Sequence, residues 1–181
     1  MNEKEIIAHI EEDLWMMHVL ETVQLLKLPD WWICAGFVRS KVWDVLHGFS
    51  EKTVLPDVDV IYYDHRFQNE AIEKELERKL FSLSPEIPWS VKNQARMHRK
   101  NKMDPYTDSV DAMSKFPETA TAIGVTLNHD GRAILAAPHS IEDLVRMQVK
   151  ATPYFVNSAV YKKRVIEKDW AAVWPMVKVT L

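Results

Sequence analysis

The chain has 181 residues, which is enough for one well-buried domain. Apolar residues make up 47% of the sequence and seven residues are tryptophan, a composition that is typical of folded globular proteins and excludes a mainly disordered chain. The formal net charge of −3 provides no overall positive field, so we do not expect nucleic acid to be the default partner.

Three features of the sequence predict a soluble cytoplasmic protein. The single cysteine, Cys34, lies in an apolar segment and is expected to be a small buried residue in a reducing compartment. No apolar run approaches the roughly 18 residues that span a bilayer. The first residues are acidic and amphipathic, without the basic and apolar regions of a secretory signal.

Apolar spacing predicts alternating helices and strands in the first half of the chain. A stripe of period 3.6 predicts a helix over about residues 3–28, either continuous or divided near Glu12 and Asp13. Continuous apolar runs predict strands over residues 31–35 and 54–63, and a helix over residues 37–46 is expected between them. A further helix is predicted over residues 66–83 and a short strand over residues 89–94.

The second half mixes helical and hairpin signals. Helices are predicted over residues 107–116, 140–149 with Ser140 as N-cap, and 156–174. Residues 128–131, which end in Asp-Gly, predict the turn of a β-hairpin. Because there is no internal repeat and no linker, the sequence predicts one domain over residues 1–181, of α+β (mixed α/β) class.

A glycine turn after the first predicted strand is a candidate phosphate site. Gly36 allows close approach of a ligand to the backbone, and the start of the following helix favours negative charge. Arg39 lies in the first turn of that helix, where a cation is unfavourable. A bound anion would explain this misfit, and an ion pair with a carboxylate such as Asp44 is the alternative.

Two aspartates near the start of the second predicted strand are candidate metal ligands. Asp57 and Asp59 are two residues apart, so their side chains point to the same face of the strand. Burying unpaired carboxylates costs several kcal/mol, so they either lie at a solvated strand end or are neutralised by a cation. The basic segment that contains Lys92 and Arg96 is either a solvated loop or a clamp for phosphate or substrate.

These motifs resemble those of a known superfamily. The run Ala35-Gly36-Phe37-Val38-Arg39, followed by Asp57-Val58-Asp59, resembles the Gly-Gly-x-Val-Arg and Asp-x-Asp signature of polymerase-beta-like nucleotidyltransferases, especially the tRNA-nucleotidyltransferase branch. Over nearly its full length, the chain is similar to a family of small bacterial nucleotidyltransferase-like proteins with no settled substrate. The segments that carry this similarity are WWICAGFVRSKVWD, DVDVIYYD, WSVKNQARMH, ETATAIGV, AAPHSIEDL and the terminal EKDW and WP.

The resemblance implies a small mixed sheet flanked by helices and a defined reaction. A nucleoside monophosphate would pass from a nucleoside triphosphate to a hydroxyl of an unknown small-molecule or protein acceptor. Asp57 and Asp59 would be the catalytic residues and the ligands of Mg²⁺ (or Mn²⁺). The residues that would bind the nucleotide phosphates are Gly36, Phe37, Arg39, Lys92 and Arg96.

One departure from the superfamily pattern keeps a second function open. Active members generally add a third carboxylate from the next strand, where this chain has Lys92 and Asn93. Asp64, Asp111 and Glu118 are the candidates for that role. If none of them reaches the site, the alternative is a non-catalytic nucleotide-binding or regulatory module.

Overall fold

A five-stranded mixed sheet forms the centre of the computed structural model, which describes residues 1–181. Its strands are β1 (Trp32–Cys34), β2 (Val58–Tyr62), β3 (Trp89–Asn93), β4 (Gly124–Leu127) and β5 (Ala133–Ala136), in the order β3-β2-β1-β4-β5. Strands β2 and β3 run parallel, and the other neighbours are antiparallel.

Nine helices surround the sheet, so the predicted α+β class is confirmed. They are α1 (Glu3–Glu11), α2 (Leu14–Gln24), α3 (Gly36–His47), α4 (Glu70–Leu83), α5 (Gln94–Asn101), α6 (Ser109–Ser114), α7 (Glu142–Val145), α8 (Ala159–Lys168) and α9 (Trp170–Val173). A second, two-stranded parallel sheet pairs β6 (Gln148–Val149) with β7 (Lys178–Val179). None of the helices has the length and apolar character that a membrane crossing requires.

The two faces of the central sheet have different roles. Alternate side chains point to opposite faces, and Ile33, Val60 and Val125 belong to the face that packs into the main hydrophobic core. That core contains 31 buried residues between Ile6 and Val177. The opposite face carries a cross-strand row formed by Ser90, Asp59, Cys34 and Gly124.

Helix α6 packs very closely on this second face at Gly124. A Cβ atom at Gly124 would lie 2.6 Å from Met113 Cε and 3.1 Å from Cys34 Sγ, so only glycine fits without movement of its neighbours. Met113 and Cys34 belong to a small separate apolar cluster. This cluster also contains Ile61 of β2 and covers the part of the face beside Asp59.

Local signals placed most elements but misjudged several ends. The N-terminal helix is divided at Glu12–Asp13, which was one of the two alternatives, and the Asp13 carboxylate caps α2 by accepting from the amides of Trp15 and Met16 at 3.1 Å each. The second strand begins at Val58 rather than at residue 54. The basic segment after β3 folds as α5, not as a loop.

The two C-terminal helix predictions were too long. Only Glu142–Val145 is helical in the segment predicted over residues 140–149, and Ser140 has a φ of 68° instead of acting as N-cap. Met147 also has positive φ (54°) and leads into β6. The predicted helix over residues 156–174 is interrupted at Asp169, whose φ of 38° turns the chain between α8 and α9.

Candidate functional site

The turn between β1 and α3 leaves backbone amides at the start of the helix without partners inside it. Ala35 has φ 53° and ψ −114°, and its amide donates to the carbonyl of Ile123 at 2.9 Å. The first helical hydrogen bond runs from the Arg39 amide to the Ala35 carbonyl, and no side chain caps the helix. The amides at positions 36–38 therefore have no intrahelical partner, and the start of α3 favours an anion.

The unusual backbone conformation in this turn falls on Ala35 and not on Gly36. A Cβ at Gly36 would make only ordinary contacts, 3.5 Å from Arg39 Nη2 and 3.8 Å from Leu55 Cδ2. The absence of a side chain at Gly36 keeps the helix start open rather than relieving strain. Phe37 is buried and its ring packs against Trp15, with centroids 5.8 Å apart, so it can offer a ligand its amide but not its side chain.

The paired aspartates lie at the N-terminal end of β2. Asp57 is exposed just before the strand, and Asp59 lies between Ser90 of β3 and Cys34 of β1. Burial raises the pKa of Asp59, and the charge of Asp57 raises it further. The side chain of Ser90 and the charges of Arg164 and Lys168 act in the opposite direction and lower this pKa. Binding of a cation would relieve the repulsion between the two carboxylates.

The donor set of this pair fits magnesium. Mg²⁺ takes oxygen ligands and is usually held by one or two carboxylates together with water and substrate phosphates, so two aspartates are sufficient. No group of three or more His, Cys, Asp or Glu side chains is arranged to hold a metal ion.

The three candidates for a further carboxylate have other partners. Asp64 accepts hydrogen bonds from Arg66 at 2.8 and 2.9 Å, and Asp111 pairs with Lys115. Glu118 is fully buried and accepts from Arg164 Nε at 2.6 Å. Each candidate is thus paired with a cation, and none of the three forms a metal-binding group with Asp57 and Asp59.

Arg39 is a cation with few partners in its surroundings. Its guanidinium carbon lies 5.3, 5.5 and 5.6 Å from the ring centroids of Trp43, Trp170 and Trp174. Its Nε is buried without a hydrogen-bond partner, and Nη2 makes one long contact of 3.4 Å with Ser40 Oγ. Burial lowers the pKa of Arg39 to about 10, which leaves it charged at neutral pH.

The alternative partner for Arg39 is engaged elsewhere. Asp44 is buried and accepts from the amide and hydroxyl of Thr53, at 2.8 and 2.7 Å, and from Trp174 Nε1 at 2.7 Å. An ion pair between Arg39 and Asp44 is therefore absent. Unsatisfied donors on a partly buried cation beside two carboxylates favour an anionic ligand.

Lys92 and Arg96 form ion pairs with α4. Lys92 Nζ lies 3.1 Å from Glu77 Oε1, and Arg96 donates two hydrogen bonds of 2.6 Å to the buried Glu73. The same two carboxylates accept from backbone amides of the edge strand β3, at 3.0 Å each. These contacts give both cations a structural role, and binding of phosphate by them stays a prediction.

The sequence patterns did not point to Ser90, Arg164 or Lys168, and they offered Glu118 only as a candidate third carboxylate. Arg164 and Lys168 stand four residues apart on α8, a spacing that places them on one helix face. That spacing was visible in the sequence. Their proximity to Asp59 depends on how the C-terminal segment folds back over α3, which no local pattern records.

The larger cavities do not coincide with this site. A cavity of about 580 Å³ lies between α4 and the segment that leads into β3, and its lining includes Phe81, Ile87 and Trp89. Another of about 540 Å³ is lined only by polar side chains of α5 and the start of α4. Neither contains Asp57 or Asp59, and we assign the site by its charges and helix start rather than by cavity size.

Comparison with known proteins decides the family. A family model described as Nucleotidyltransferase matches residues 21–179. This chain belongs to that nucleotidyltransferase family. The resemblance inferred from its motifs is thereby confirmed. A search of curated proteins found no match.

Solved structures share the fold of this nucleotidyltransferase family member. An NMR structure described as revealing a CCA-adding enzyme head domain is 35% identical, with a TM-score of 0.89 over 99% of this chain and 96% of that one. A Thermotoga maritima CCA-adding enzyme complexed with tRNA is 12% identical, with a TM-score of 0.60 over 100% of this chain and 43% of that one.

A tRNA nucleotidyltransferase complexed with a primer tRNA and an incoming ATP analogue is 17% identical, with a TM-score of 0.52 over 90% of this chain and 46% of that one. The family member thus spans less than half the length of these two tRNA-bound enzymes. At such identities the likeness shows the fold alone.

Proposed function

We propose that the protein transfers a nucleoside monophosphate from a nucleoside triphosphate to a hydroxyl of a small-molecule or protein acceptor. The observation that carries this proposal is the juxtaposition of three unsatisfied features: a repelling carboxylate pair, an uncapped helix start and the Arg39 cation. A metal-bound triphosphate would satisfy all three, because it brings a cation to the carboxylates and anionic oxygens to the amides and the guanidinium.

Each residue has a role in this proposal. Asp57 and Asp59 hold Mg²⁺ (or Mn²⁺), and the amides of Gly36 and Phe37, together with Arg39, hold the phosphates. When bound, the metal withdraws charge from the phosphate oxygens and stabilises the leaving pyrophosphate. Held in this way, the triphosphate would present its α-phosphorus to the acceptor oxygen, which forms its new bond as the bond to pyrophosphate breaks, while the proton of the acceptor hydroxyl passes to water.

A non-catalytic nucleotide-binding module is the second candidate. It is favoured by the contacts of Glu118, which is paired with Arg164 and is not joined to the two aspartates. Such a module would bind magnesium and nucleotide through the same residues without releasing pyrophosphate.

The relatives make tRNA an acceptor that has to be tested. Two of the solved structures are complexes with tRNA, whereas the net charge of −3 gives this chain no overall attraction for nucleic acid. We propose a small-molecule or protein acceptor on that ground. Transfer to tRNA in the assay below would overturn this part of the proposal.

Calorimetric titration with ATP, GTP, CTP and UTP in the presence of magnesium tests nucleotide binding. We expect at least one nucleotide to bind, the double variant D57N/D59N to lose the binding, and the matched variant Asp130→Asn, in the exposed hairpin turn, to retain it. Absence of binding for all four nucleotides, or unchanged binding by D57N/D59N, would refute the proposed site.

Product analysis then separates transfer from the alternatives. Labelled nucleotide is incubated with a cell extract or with tRNA, and pyrophosphate and labelled acceptor are measured. Turnover that D57N/D59N abolishes supports the transferase and eliminates the non-catalytic module. Nucleoside monophosphate formed without any acceptor would instead indicate hydrolysis.

A further inference from the structure

Two cations of the C-terminal helix α8 contribute to the electrostatic surroundings of Asp59. Arg164 and Lys168 are four residues apart, on one side of the helix, and both lie within electrostatic range of Asp59. The positive charge of Arg164 also lowers the pKa of Arg39. Other cations of α8 are different: Lys163 is largely exposed and lies 3.6 Å from Glu167 of the same helix.

Arg164 is held in place by a buried acid. Glu118 is fully buried, and its two oxygens accept from Arg164 Nε at 2.6 Å and from Thr121 Oγ1 at 2.7 Å. Only the Nε side of the guanidinium is used in this contact. The two terminal nitrogens of Arg164 make no hydrogen bond within the chain and remain free to bind an anion.

The chain turn after α8 brings the residues that follow this helix against Arg39. Asp169, with φ 38°, ends α8 and directs Trp170 against the guanidinium of Arg39 at 5.5 Å. Trp174 follows and donates to Asp44 of α3 at 2.7 Å. Lys168, the last residue of α8, thus lies next to the contact with Arg39 and forms no ion pair.

We propose that Arg164 and Lys168 bind the phosphates of the nucleotide opposite the aspartate pair, and that Glu118 positions Arg164. The identity of the ligand rests on the proposed function. A triphosphate next to two carboxylates carries more negative charge than Arg39 and a divalent ion neutralise. Arginine suits the task because its planar fork donates two parallel hydrogen bonds to a phosphate.

Inorganic tripolyphosphate with magnesium is the probe for this proposal, because it tests phosphate binding without base or acceptor. We expect Lys168→Gln and Arg164→Lys each to weaken its affinity about ten- to one-hundred-fold, the range for loss of a charge-assisted hydrogen bond. Lys163→Gln removes the same charge from an outward position of the same helix and is expected to change the affinity less than twofold.

Two further measurements separate binding from structural support. Lys168→Gln should lower the melting temperature no more than Lys163→Gln, because Lys168 has no ion pair and Lys163 loses only an exposed pair with Glu167. Glu118→Gln should weaken tripolyphosphate binding through Arg164, so that its effect largely disappears in the Arg164→Lys background.

The outcomes distinguish this inference from the proposed function. Equal affinities of Lys168→Gln, Arg164→Lys and Lys163→Gln, or no tripolyphosphate binding by the wild type, would overturn the inference. If the wild type releases pyrophosphate but the substitutions leave the affinity for tripolyphosphate unchanged, the inference is overturned and the proposed function is not. Weakened binding by both variants in a protein that turns over no nucleotide would support the inference and count against transfer.

Discussion

A single alanine determines how α3 leaves the sheet. Ala35 combines φ 53° with ψ −114°, a region that residues with a side chain rarely adopt and that costs about 1–3 kcal/mol. The turn is held from both sides, by the hydrogen bond to Ile123 and by the first helical hydrogen bond of α3.

Replacing Ala35 by glycine should therefore stabilise the protein. The substitution removes the strain. It also makes the unfolded chain more flexible, which costs about 0.4–1 kcal/mol of stability. We therefore expect the free energy of unfolding to rise by about 1 kcal/mol. Urea unfolding measures it. The matched variant Ala112→Gly, in helix α6, should lose about 1 kcal/mol instead. A loss for both variants would show that the turn is unstrained.

Asp59 should make the metal-free protein more stable when it is uncharged. Burial raises the pKa of Asp59 above its ordinary value, so the contribution of the uncharged form to stability is fully present below the ordinary pKa and is lost as pH rises through the folded-state pKa. We expect Asp59→Asn to raise the melting temperature at pH 7 without metal, and the difference to shrink on acidification. Asp130→Asn, an exposed control, should show no such pattern.

Magnesium should reverse this ranking. The ion stabilises the wild type by binding the folded state, and Asp59→Asn lacks one ligand and should gain less. Thermal unfolding with and without magnesium checks this. A lower melting temperature of metal-free Asp59→Asn at pH 7 would contradict the pKa argument.

Residue patterns predicted the aspartate pair and an anion site at the start of α3, but they did not predict any contribution from α8. Period-two alternation placed Asp57 and Asp59 on one face, and the unfavourable position of Arg39 at a helix start indicated an anion site. The suggested Arg39–Asp44 pair failed because Trp174, 130 residues away in sequence, takes an Asp44 oxygen. Long-range partners of this kind leave no local signal.

At the level of elements, α4 protects an exposed sheet edge. β3 is an edge strand, and its amides at Val91 and Asn93 donate to Glu77 and Glu73 of α4. Lys92 and Arg96 neutralise these carboxylates. An uncovered edge invites pairing with other chains, so this helix blocks an aggregation route.

The Glu73–Arg96 pair should behave as a buried ion pair in a double-mutant cycle. Glu73→Gln or Arg96→Met leaves one buried group without its charged partner and should cost about 3–5 kcal/mol. The double variant should cost clearly less than the sum, because no uncompensated charge remains. Urea unfolding of the four proteins completes the cycle, and additive costs would show that the two side chains do not interact.

Asp44 joins α3 to the C-terminal segment and to the loop before β2. Its carboxylate accepts from Thr53 and Trp174, so Asp44→Asn would set an amide donor against existing donors. We expect a loss of about 2–3 kcal/mol in urea unfolding. Thr53→Ser keeps the hydroxyl and should lose less than about 1 kcal/mol. Equal stability of Asp44→Asn and the wild type would rule out this link.

The predicted ends of helices were wrong where residues far away in the sequence determine the local conformation. The periodicity over residues 140–149 is helical, yet Met147 turns with φ 54° and the next residues pair with β7, some thirty positions later. Helix propensity is a weak force and tertiary pairing overrides it. The long helix α4, whose apolar stripe and charge pairs agree locally, was by contrast predicted to its C-terminal residue.

On the scale of the whole molecule, one apolar core connects the N-terminal helices to the C-terminal segment. It contains Ile6 and Ile10 of α1 as well as Trp170, Trp174 and Val177 near the other end. The strand that follows Asp57, the turn between β1 and α3, and helix α8 all pack on this core. Because these parts share one core, we expect the chain to unfold in one step, as a single domain would.

Unfolding should thus be a single transition that ligand shifts as a whole. Tryptophan fluorescence and far-UV circular dichroism should give coincident curves, because the seven tryptophans are distributed from Trp15 to Trp174. Magnesium and a bound nucleotide at about one hundred times Kd should add about 2.7 kcal/mol and raise Tm by roughly 5–10 °C. D57N/D59N should keep the single transition but lose the shift. Two transitions, of which only one responds to nucleotide, would instead divide the chain into two units and place the site on one of them.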